Sequence, residues 1–433
     1  MAPLPAGGGL RRRGRPRSEQ TLGFAVTFIE LCMLPLSLRA LLIAAACWSS
    51  YAHAEGLMPA DDAAQTLRVA TFNSSLNDRN AQLIARLRAG DHDARRIAAV
   101  IQRIRPDVLL LNEFDYDSGE QAAALFQQRY LEMGQFGERP IHYAHRFTAN
   151  VNTGLPSGVD INGDGKVEGP ADAHGFGFHP GQFGMLVLSR YPLKTEQLRS
   201  FQTLLWHRLP DAHRPMRPDT DPPQPFHDDA TWKRIRLSSK SHWDLPVTTP
   251  IGEIHLLASH PTPPVFDGKE DLNGLRNRDE LGLWRFYLES EQSHPWLLDD
   301  QGRRGPIAAD AAFILLGDLN NDPRDGSGYG EAIQALLRHP RVTQAAAPTS
   351  IGGAESARLQ KLPRGKTPAN TRTASFGSMS GDLRVDYVIP SRKLQVVDSG
   401  VYWPTTAEPE HDWLSATDHR MVWMDLRRES GEQ

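Results

Sequence analysis

The chain has 433 residues, with 48 Lys plus Arg against 52 Asp plus Glu for a formal charge of −4, and 39% of its residues are hydrophobic. That composition excludes a disordered or collagen-like protein, and no heptad or other fixed-period repeat is present. The length allows one large domain or two small ones with a sizeable core, and 36 Gly with 32 Pro suit a loop-rich enzyme.

The N-terminal stretch reads as a targeting segment rather than as fold. Residues 38–54 combine an Arg, a short apolar run and Ala52-His-Ala54, the pattern of a signal peptide cleaved after Ala54. The apolar run is short for a bilayer, so no transmembrane span is expected in the mature form, and the expected location is secreted or periplasmic. The basic leader Arg11-Arg-Arg-Gly-Arg-Pro-Arg17 is long for such a signal, and a start at Met33 gives an ordinary length. Weaker readings are an uncleaved anchor and a lipoprotein modified at Cys47, where Ala44 stands in place of the preferred Leu. Both cysteines, Cys32 and Cys47, fall in this segment, so the mature chain is expected to use neither disulfides nor thiol chemistry. Without residues 1–54 the chain keeps 42 basic and 50 acidic residues, a charge of −8. A chain this acidic does not hold nucleic acid by bulk electrostatics, and an anionic substrate would need a cation bound locally.

Residues 55–66 then read as a linker and 67–428 as a single domain. Residues 67–72 suggest a buried strand, and 92–103, with Ile97, Val100, Ile101 and Ile104 spaced for one face, a helix. After Pro106, residues 108–111 form a continuous apolar run, as in a strand covered on both sides. A helix is expected at 121–133 and a strand at 183–189, ended by Pro192. Residues 202–232, rich in Pro, His and Asp without periodicity, predict a long surface loop, and His207, His213 and His227 within it lack metal-ligand spacing. Further strands are expected at 235–239, 253–259, 313–316, 385–389, 394–397 and 421–426, with a helix at 279–290. Strands and helices interleaved over the whole chain argue for an α/β (α+β) fold.

Several of these strands run straight into a polar residue. Leu67-Arg-Val-Ala-Thr-Phe-Asn73 ends in Asn73, Val108-Leu-Leu-Leu-Asn-Glu113 in Glu113, Ala258-Ser-His260 in His260, and Ile314-Leu-Leu-Gly-Asp318-Leu-Asn320 in Asp318 and Asn320. Arg384-Val-Asp386-Tyr supplies Asp386, and Asp418-His419 precedes the apolar run at Met421. Singly each is weak, since Asp-x-Asn after a strand is usually an ordinary turn and Asp-His a surface pair. Jointly, carboxylates, amides and imidazoles at strand ends are what a divalent metal and a phosphate ester require.

In this order the set resembles the endonuclease/exonuclease/phosphatase family, with the deoxyribonuclease I-like fold, over essentially all of the chain from about residue 67 to 426. The resemblance implies a four-layered sandwich of two face-to-face mixed β-sheets flanked by helices, with the active residues at one edge. It implies Glu113 as principal metal ligand, with Asn73 supporting the metal or a phosphate oxygen and Asp418 near it. Asp318 would orient and deprotonate the attacking water, which Asn320 would help to hold. His419, held by Asp386, would stabilise the phosphorane-like charge, and His260 would contact the phosphate or protonate the leaving oxygen. The implied cofactor is Mg²⁺, with Mn²⁺ as a substitute. Ser75 departs from the pattern, since many nuclease members carry an acid there, and Gln182 is a stand-in for a mid-chain phosphate contact that cannot be placed by motif.

Three further features stand outside that set. Asp160-Ile-Asn162-Gly-Asp164-Gly165 matches the first half of a calcium loop, with Ala171 at the twelfth position and Asp172 following, and either a structural Ca²⁺ site or an ion-free Asx turn fits it. Arg276 and Arg278 are candidates to grip phosphate, or else they belong to a solvated helix start. Trp403 and Trp413 either stack on substrate or anchor their loop. The expected activity is exported, Mg²⁺-dependent hydrolysis of phosphodiesters, extracellular nucleic acid first, with no stable protein partner implied. Alternatives are a phospholipid or small-molecule phosphodiesterase or phosphomonoesterase, and a non-catalytic binding protein on the same fold.

Overall fold

The computed structural model describes residues 66–289, 294–360 and 365–429. The leader and linker readings, with Cys32, Met33 and Cys47, lie outside the described residues apart from Thr66. Two sheets dominate. The first has six strands, β1 (Leu67–Leu76), β2 (Val108–Phe114), β3 (His145–Thr148), β4 (Met185–Ser189), β10 (Leu394–Val401) and β11 (Val422–Arg428), in the order β10-β11-β1-β2-β4-β3. The second has five, β5 (Arg199–Ser200), β6 (His242–Thr249), β7 (Gly252–Ser259), β8 (Phe313–Asp318) and β9 (Asp386–Pro390), in the order β9-β8-β7-β6-β5. Both are mixed: β1 runs parallel to β2 and antiparallel to β11, and β8 runs parallel to β7 and antiparallel to β9.

The period-two alternation of side chains explains the layering. Val69, Val108, Leu110, Met185 and Val187 of the first sheet pack against Leu245, Leu256, Ala258, Ile314, Leu316 and Val388 of the second. The intervening residues Ala70, Phe72, Leu109, Leu111, Leu186 and Leu188 point the other way, onto helix α1 (Leu83–Ala89) through Leu83 and Leu87 and helix α2 (His92–Ile104) through Ile97, Ala98 and Ile101. On the far side Leu257, Phe313, Leu315, Tyr387 and Ile389 meet Leu281, Leu283 and Trp284 of a long helix, α4 (Leu272–Leu288). Strands covered on both faces must be apolar throughout, which is why they read as unbroken hydrophobic runs. Burying each Leu or Val contributes about 1.5–3 kcal/mol, and cutting Leu110 to Ala at the centre would cost about 2–5 kcal/mol. Four layers, helix on sheet on sheet on helix, are the architecture the sequence motifs imply.

Departures from the sequence reading have local causes. Helix α2 is capped by Asp91, whose side chain accepts from the Ala94 N–H, and it stops at Arg105 in the left-handed conformation. The helix expected over 121–133 is α3 (Gln121–Phe126), which widens into a π-helical turn over Gln127–Leu131. Residues 235–239 are not a strand: Arg236 makes one isolated bridge to Leu205, and the strand begins at His242. Helix α4 starts seven residues before its expected beginning. The long loop at 202–232 is pinned rather than loose, for Trp206 and Trp232 are buried in the same core as α4, ring centres 4.9 Å apart. Among the described residues no helix is long and apolar enough to cross a membrane.

Candidate active site

The sheet registers bring the strand ends to one edge. Asn73 lies beside Asn112 in the parallel β1–β2 pair, with Glu113 next, and Asp318 pairs with Asp386 across β8–β9. His260 follows the end of β7, and His419 precedes β11. The backbone is forced at this edge. Ser75, Glu113 and Asn320 all have positive φ, at 48°, 54° and 52°, a conformation that is unfavourable for non-glycine residues and gathers at functional sites. Gly317 admits no side chain, because a Cβ there would lie 2.0 Å from the Ser259 carbonyl oxygen.

One oxygen is the focus of the cluster. Asp318 Oδ2 accepts from Asn73 Nδ2 (3.0 Å), His260 Nε2 lies 3.4 Å from it, and His419 Nε2 lies 3.6 Å from it. The other oxygen, Oδ1, accepts from the Asn320 N–H at 2.9 Å. Asn73 Nδ2 also donates to Glu113 Oε1 at 3.0 Å, and Asn77 Nδ2 donates to Glu113 Oε2 at 2.9 Å. The opposite face of His419 is held by Asp386, whose Oδ2 lies 2.9 Å from Nδ1, and the edge of Phe376 packs on the ring at 5.4 Å between centres. Asp318, Asp386, His260 and His419 are all buried.

Charges follow from this packing. Burial would raise Asp318, but the His419 cation and hydrogen bonds from His260 and Asn73 outweigh it and hold the carboxyl well below the usual range. Burial would lower His419, and the Asp386 and Asp318 carboxylates reverse that, pushing it up to about 10. His260 goes the other way, lowered by burial and by the nearby Lys240 cation. The site therefore sets a cationic imidazole and a neutral one on either side of one carboxylate.

Two groups of donor atoms fit a metal ion, Glu113 with His260 and Asp318, and Asp318 with Asp386 and His419, each group's atoms lying within 4.8 Å of one another. The first is the better fit. Its two carboxylates are hard oxygen donors, Glu113 accepts from the amides of Asn73 and Asn77, and burial lowers the group's imidazole, His260, whereas in the second group His419 is itself charged. The profile of the endonuclease/exonuclease/phosphatase family matches residues 70–419. The chain belongs to that family. Members of the family are phosphoesterase hydrolases that generally use a divalent metal. No curated protein matches the chain. Among solved structures, it is similar to a family member from Beutenbergia cavernae at 21% identity and TM-score 0.47, covering 84% of this chain and 72% of that one. Sphingomyelinase C from Streptomyces griseocarneus matches at 15% identity and TM-score 0.40, covering 83% and 99%. TDP2 from D. rerio, complexed with a single-strand DNA product, matches at 12% identity and TM-score 0.41, covering 84% and 99%.

Within this family member the remaining candidates sort themselves by position. Asn73 presents its amide nitrogen to two carboxylates while its oxygen accepts from the Ser75 N–H. In this orientation Asn73 braces the two carboxylates against each other. Asp418 is exposed at the rim, 3.7 Å from His419 Nε2. Arg276 does not grip phosphate: it is buried, and its guanidinium donates to the carbonyls of Leu237, Arg236, Ser238 and His174. Arg278 is drawn to Glu331 and lies over the Tyr329 ring, away from the focal carboxylate's partners. Gln182 is buried, with Oε1 accepting from the Phe178 N–H, so it is no phosphate contact either. Trp403 and Trp413 are buried anchors, the first beneath Arg420 and the second stacked near Tyr402. His213 and His227 serve structure, pairing with Asp279 and with the Ile161 carbonyl.

Lys240 escaped the sequence reading. It is only 6% exposed, and its ammonium, lowered by burial, feels the charges of Glu280, Glu113 and Asp318. A buried ammonium without a close carboxylate partner is costly, and here it faces the edge where an anionic substrate would arrive. The clue was a lone Lys within Ser238-Ser-Lys-Ser-His242, a stretch with no motif to flag it.

Proposed function

We propose that the protein is an exported, Mg²⁺-dependent phosphodiesterase whose substrate is extracellular nucleic acid. The observation that carries the reading is the convergence of Asn73, His260 and His419 on Asp318 Oδ2, with Glu113 tied to the same amide. Glu113 and Asp318, with His260 beside them, would hold a divalent cation, which there supplies Lewis-acid neutralisation of phosphate charge. The chain's own groups do the rest. Asp318 accepts a hydrogen bond from the attacking water and turns its lone pair toward phosphorus, with Asn320 steadying the loop. As the new P–O bond forms the water gives up its proton to Asp318, and the departing oxygen takes a proton from solvent. His419, fixed by Asp386, places positive charge where the phosphorane oxygens become more negative. His260, whose Nε2 lies beside Asp318 Oδ2, steadies that carboxylate, and Lys240 adds a buried amine that feels the charges of Glu113 and Asp318.

The rim favours a strand of nucleic acid over a small ester. Phe178 is exposed and lies under the Arg79 guanidinium at 4.0 Å, with Phe176 edge-on at 5.5 Å. Next to them His179 Nε2 donates to the Asp78 carbonyl, one residue from Asn77 and its bond to Glu113. An exposed ring with a stacked cation is a platform for a base. The same rings would also enter a lipid headgroup layer, which makes a phospholipid diester the second reading. Plasmid DNA and sphingomyelin vesicles offered separately, with Mg²⁺ or chelator and with Asp318→Ala as control, decide between them. Metal-dependent nicking lost in the variant supports the nuclease reading, and vesicle turnover without nicking replaces it with the lipid one. Folded protein inactive on both overturns the phosphodiesterase assignment.

A further inference from the structure

The loop between Val159 and Ala173 takes no part in the chemistry above, and its acidic and amide side chains turn back onto its own backbone. Asp160 Oδ1 accepts from the Gly163 N–H (2.7 Å) and Oδ2 from the Gly165 N–H (2.9 Å). Asn162 Oδ1 accepts from the Asp164 N–H (3.0 Å), and Asp164 Oδ1 from the Lys166 N–H (2.8 Å). Nested turns of this kind need no ion, and by themselves they indicate none. The independent observation is Asp172. It is 2% exposed, its Oδ1 accepts from the Ile161 N–H at 2.9 Å, and its Oδ2 is buried with no hydrogen-bond partner. Its carboxylate thus sits on the backbone between Asp160 and Asn162, with one oxygen left bare. Among the described residues no Lys or Arg forms an ion pair with Asp160, Asp164 or Asp172. A buried, unpaired carboxylate oxygen costs several kcal/mol unless a cation meets it.

We propose that Asp160, Asn162, Asp164, the Lys166 carbonyl and Asp172 form a structural calcium site, distinct from the catalytic cluster. Each carboxylate oxygen that accepts one backbone N–H keeps a second lone pair for a metal. Three carboxylates, one amide oxygen and one carbonyl suit Ca²⁺, which takes six to eight oxygens in flexible geometry, better than Mg²⁺, which keeps its waters. Gly165, at φ 84°, makes the turn at the sixth position. The departure at the twelfth position has a structural reason. Pro170–Asp172 forms a 3-10 turn that carries the acid inward one residue late, so Asp172 stands in for the missing one.

The site would brace the active edge. The Asp172 carbonyl accepts from the Ser157 N–H, His174 N–H donates to the Leu155 carbonyl, and Gly175 N–H to the Asn152 carbonyl. From there the chain runs through Phe176 and Phe178 to His179, which bonds Asp78 beside the Glu113 contact. Calcium would thus order the aromatic rim without touching the reacting atoms.

The test is calorimetric titration of Ca²⁺ into chelator-stripped full-length protein carrying Glu113→Gln, so that the catalytic carboxylates do not contribute. One calcium equivalent is expected, lost on adding Asp160→Asn with Asp164→Asn; Asp164→Asn keeps its bond from the Lys166 N–H, and Asp160→Asn keeps one of its two. In the otherwise wild-type chain Ca²⁺ should raise the thermal midpoint by about 3 °C, and the double substitution should abolish that rise. If the Glu113→Gln protein takes up no calcium, or if uptake survives the double substitution, the proposal is overturned. Should the combined variants not fold, the thermal rise in the wild-type chain and its loss in Asp164→Asn alone decide the same question. Failure here would leave the nuclease reading intact, since plasmid nicking tests that separately.

Discussion

Replacing Arg276 by Ala separates a structural arginine from a substrate-gripping one. The guanidinium is 5% exposed and donates to four backbone carbonyls, three of them in residues 236–238 and the fourth at His174. The fully buried Glu280 is its counter-charge and accepts from the Ser239 and Thr262 N–H groups at 2.7 and 2.6 Å. Burial pushes Glu280 up, and Arg276 is the largest influence pulling it back. Hydrogen bonds from a charged donor contribute about 1.5–3 kcal/mol each, and removing one member of a buried pair costs about 3–5 kcal/mol. These overlap and do not add, so the expected loss is about 4 kcal/mol. Urea unfolding followed by tryptophan fluorescence at pH 7.5 would show it as a lower midpoint with unchanged slope. Arg276→Lys, which restores charge but not the fork, should recover part of the loss. A variant with wild-type stability whose KM alone rises would refute the reasoning and return Arg276 to the substrate.

Two other expectations follow from buried cations and imidazoles. Lys240→Met should lower kcat on a diester about 100-fold, the scale of one lost oxyanion donor, and undiminished kcat would remove Lys240 from the site. His242 is fully buried between Ser238 Oγ and the Glu280 carbonyl, and burial lowers it to about 3. The unfolded chain takes a proton there near pH 6.5 and the folded chain does not, so stability falls as pH drops from 6.5 toward 3, by about 2 kcal/mol at pH 5. Urea midpoints at pH 7.5 and 5 should converge in His242→Gln, and an unchanged difference would assign the acid sensitivity elsewhere.

The candidate site residues were legible because of where they stand. A strand buried on both faces is apolar until it leaves the sandwich, so Asn73 after Phe72, Asn112-Glu113 after Leu111, Ser259-His260 after Ala258 and Asp318 after Leu316-Gly317 announce themselves as the polar ends of apolar runs. Asp386 and His419 enter their strands from the same edge and are legible in reverse. Their assembly around Asp318 Oδ2 was not, since it depends on register and on forced backbone at Glu113 and Asn320, neither of which leaves a signal in residue type.

Helix α4 shows why the other positions were misread. Its first turns carry Arg276, Asn277, Asp279 and Glu280, and every one is buried. Polar residues near a helix start suggest solvent, which set the expected helix at 279 and Arg276 in reach of substrate. The loops this helix covers, residues 202–241 and 261–262, have only a two-stranded ribbon (Met216–Arg217 with Gln224–Pro225) and one isolated bridge to satisfy their backbone groups, and buried N–H and C=O groups must find partners. Asp279 takes the His213 backbone N–H and the Trp206 indole N–H, Asn277 the Thr262 and Leu319 carbonyls, Arg276 the carbonyls of 236–238, and Glu280 the N–H groups of Ser239 and Thr262. One polar helix face thus replaces the missing strand at 235–239 and fixes Ser239 and Thr262, the neighbours of Lys240 and His260. Stability lost at Arg276 should therefore reach the catalytic edge through these two residues, without Arg276 ever meeting the phosphate.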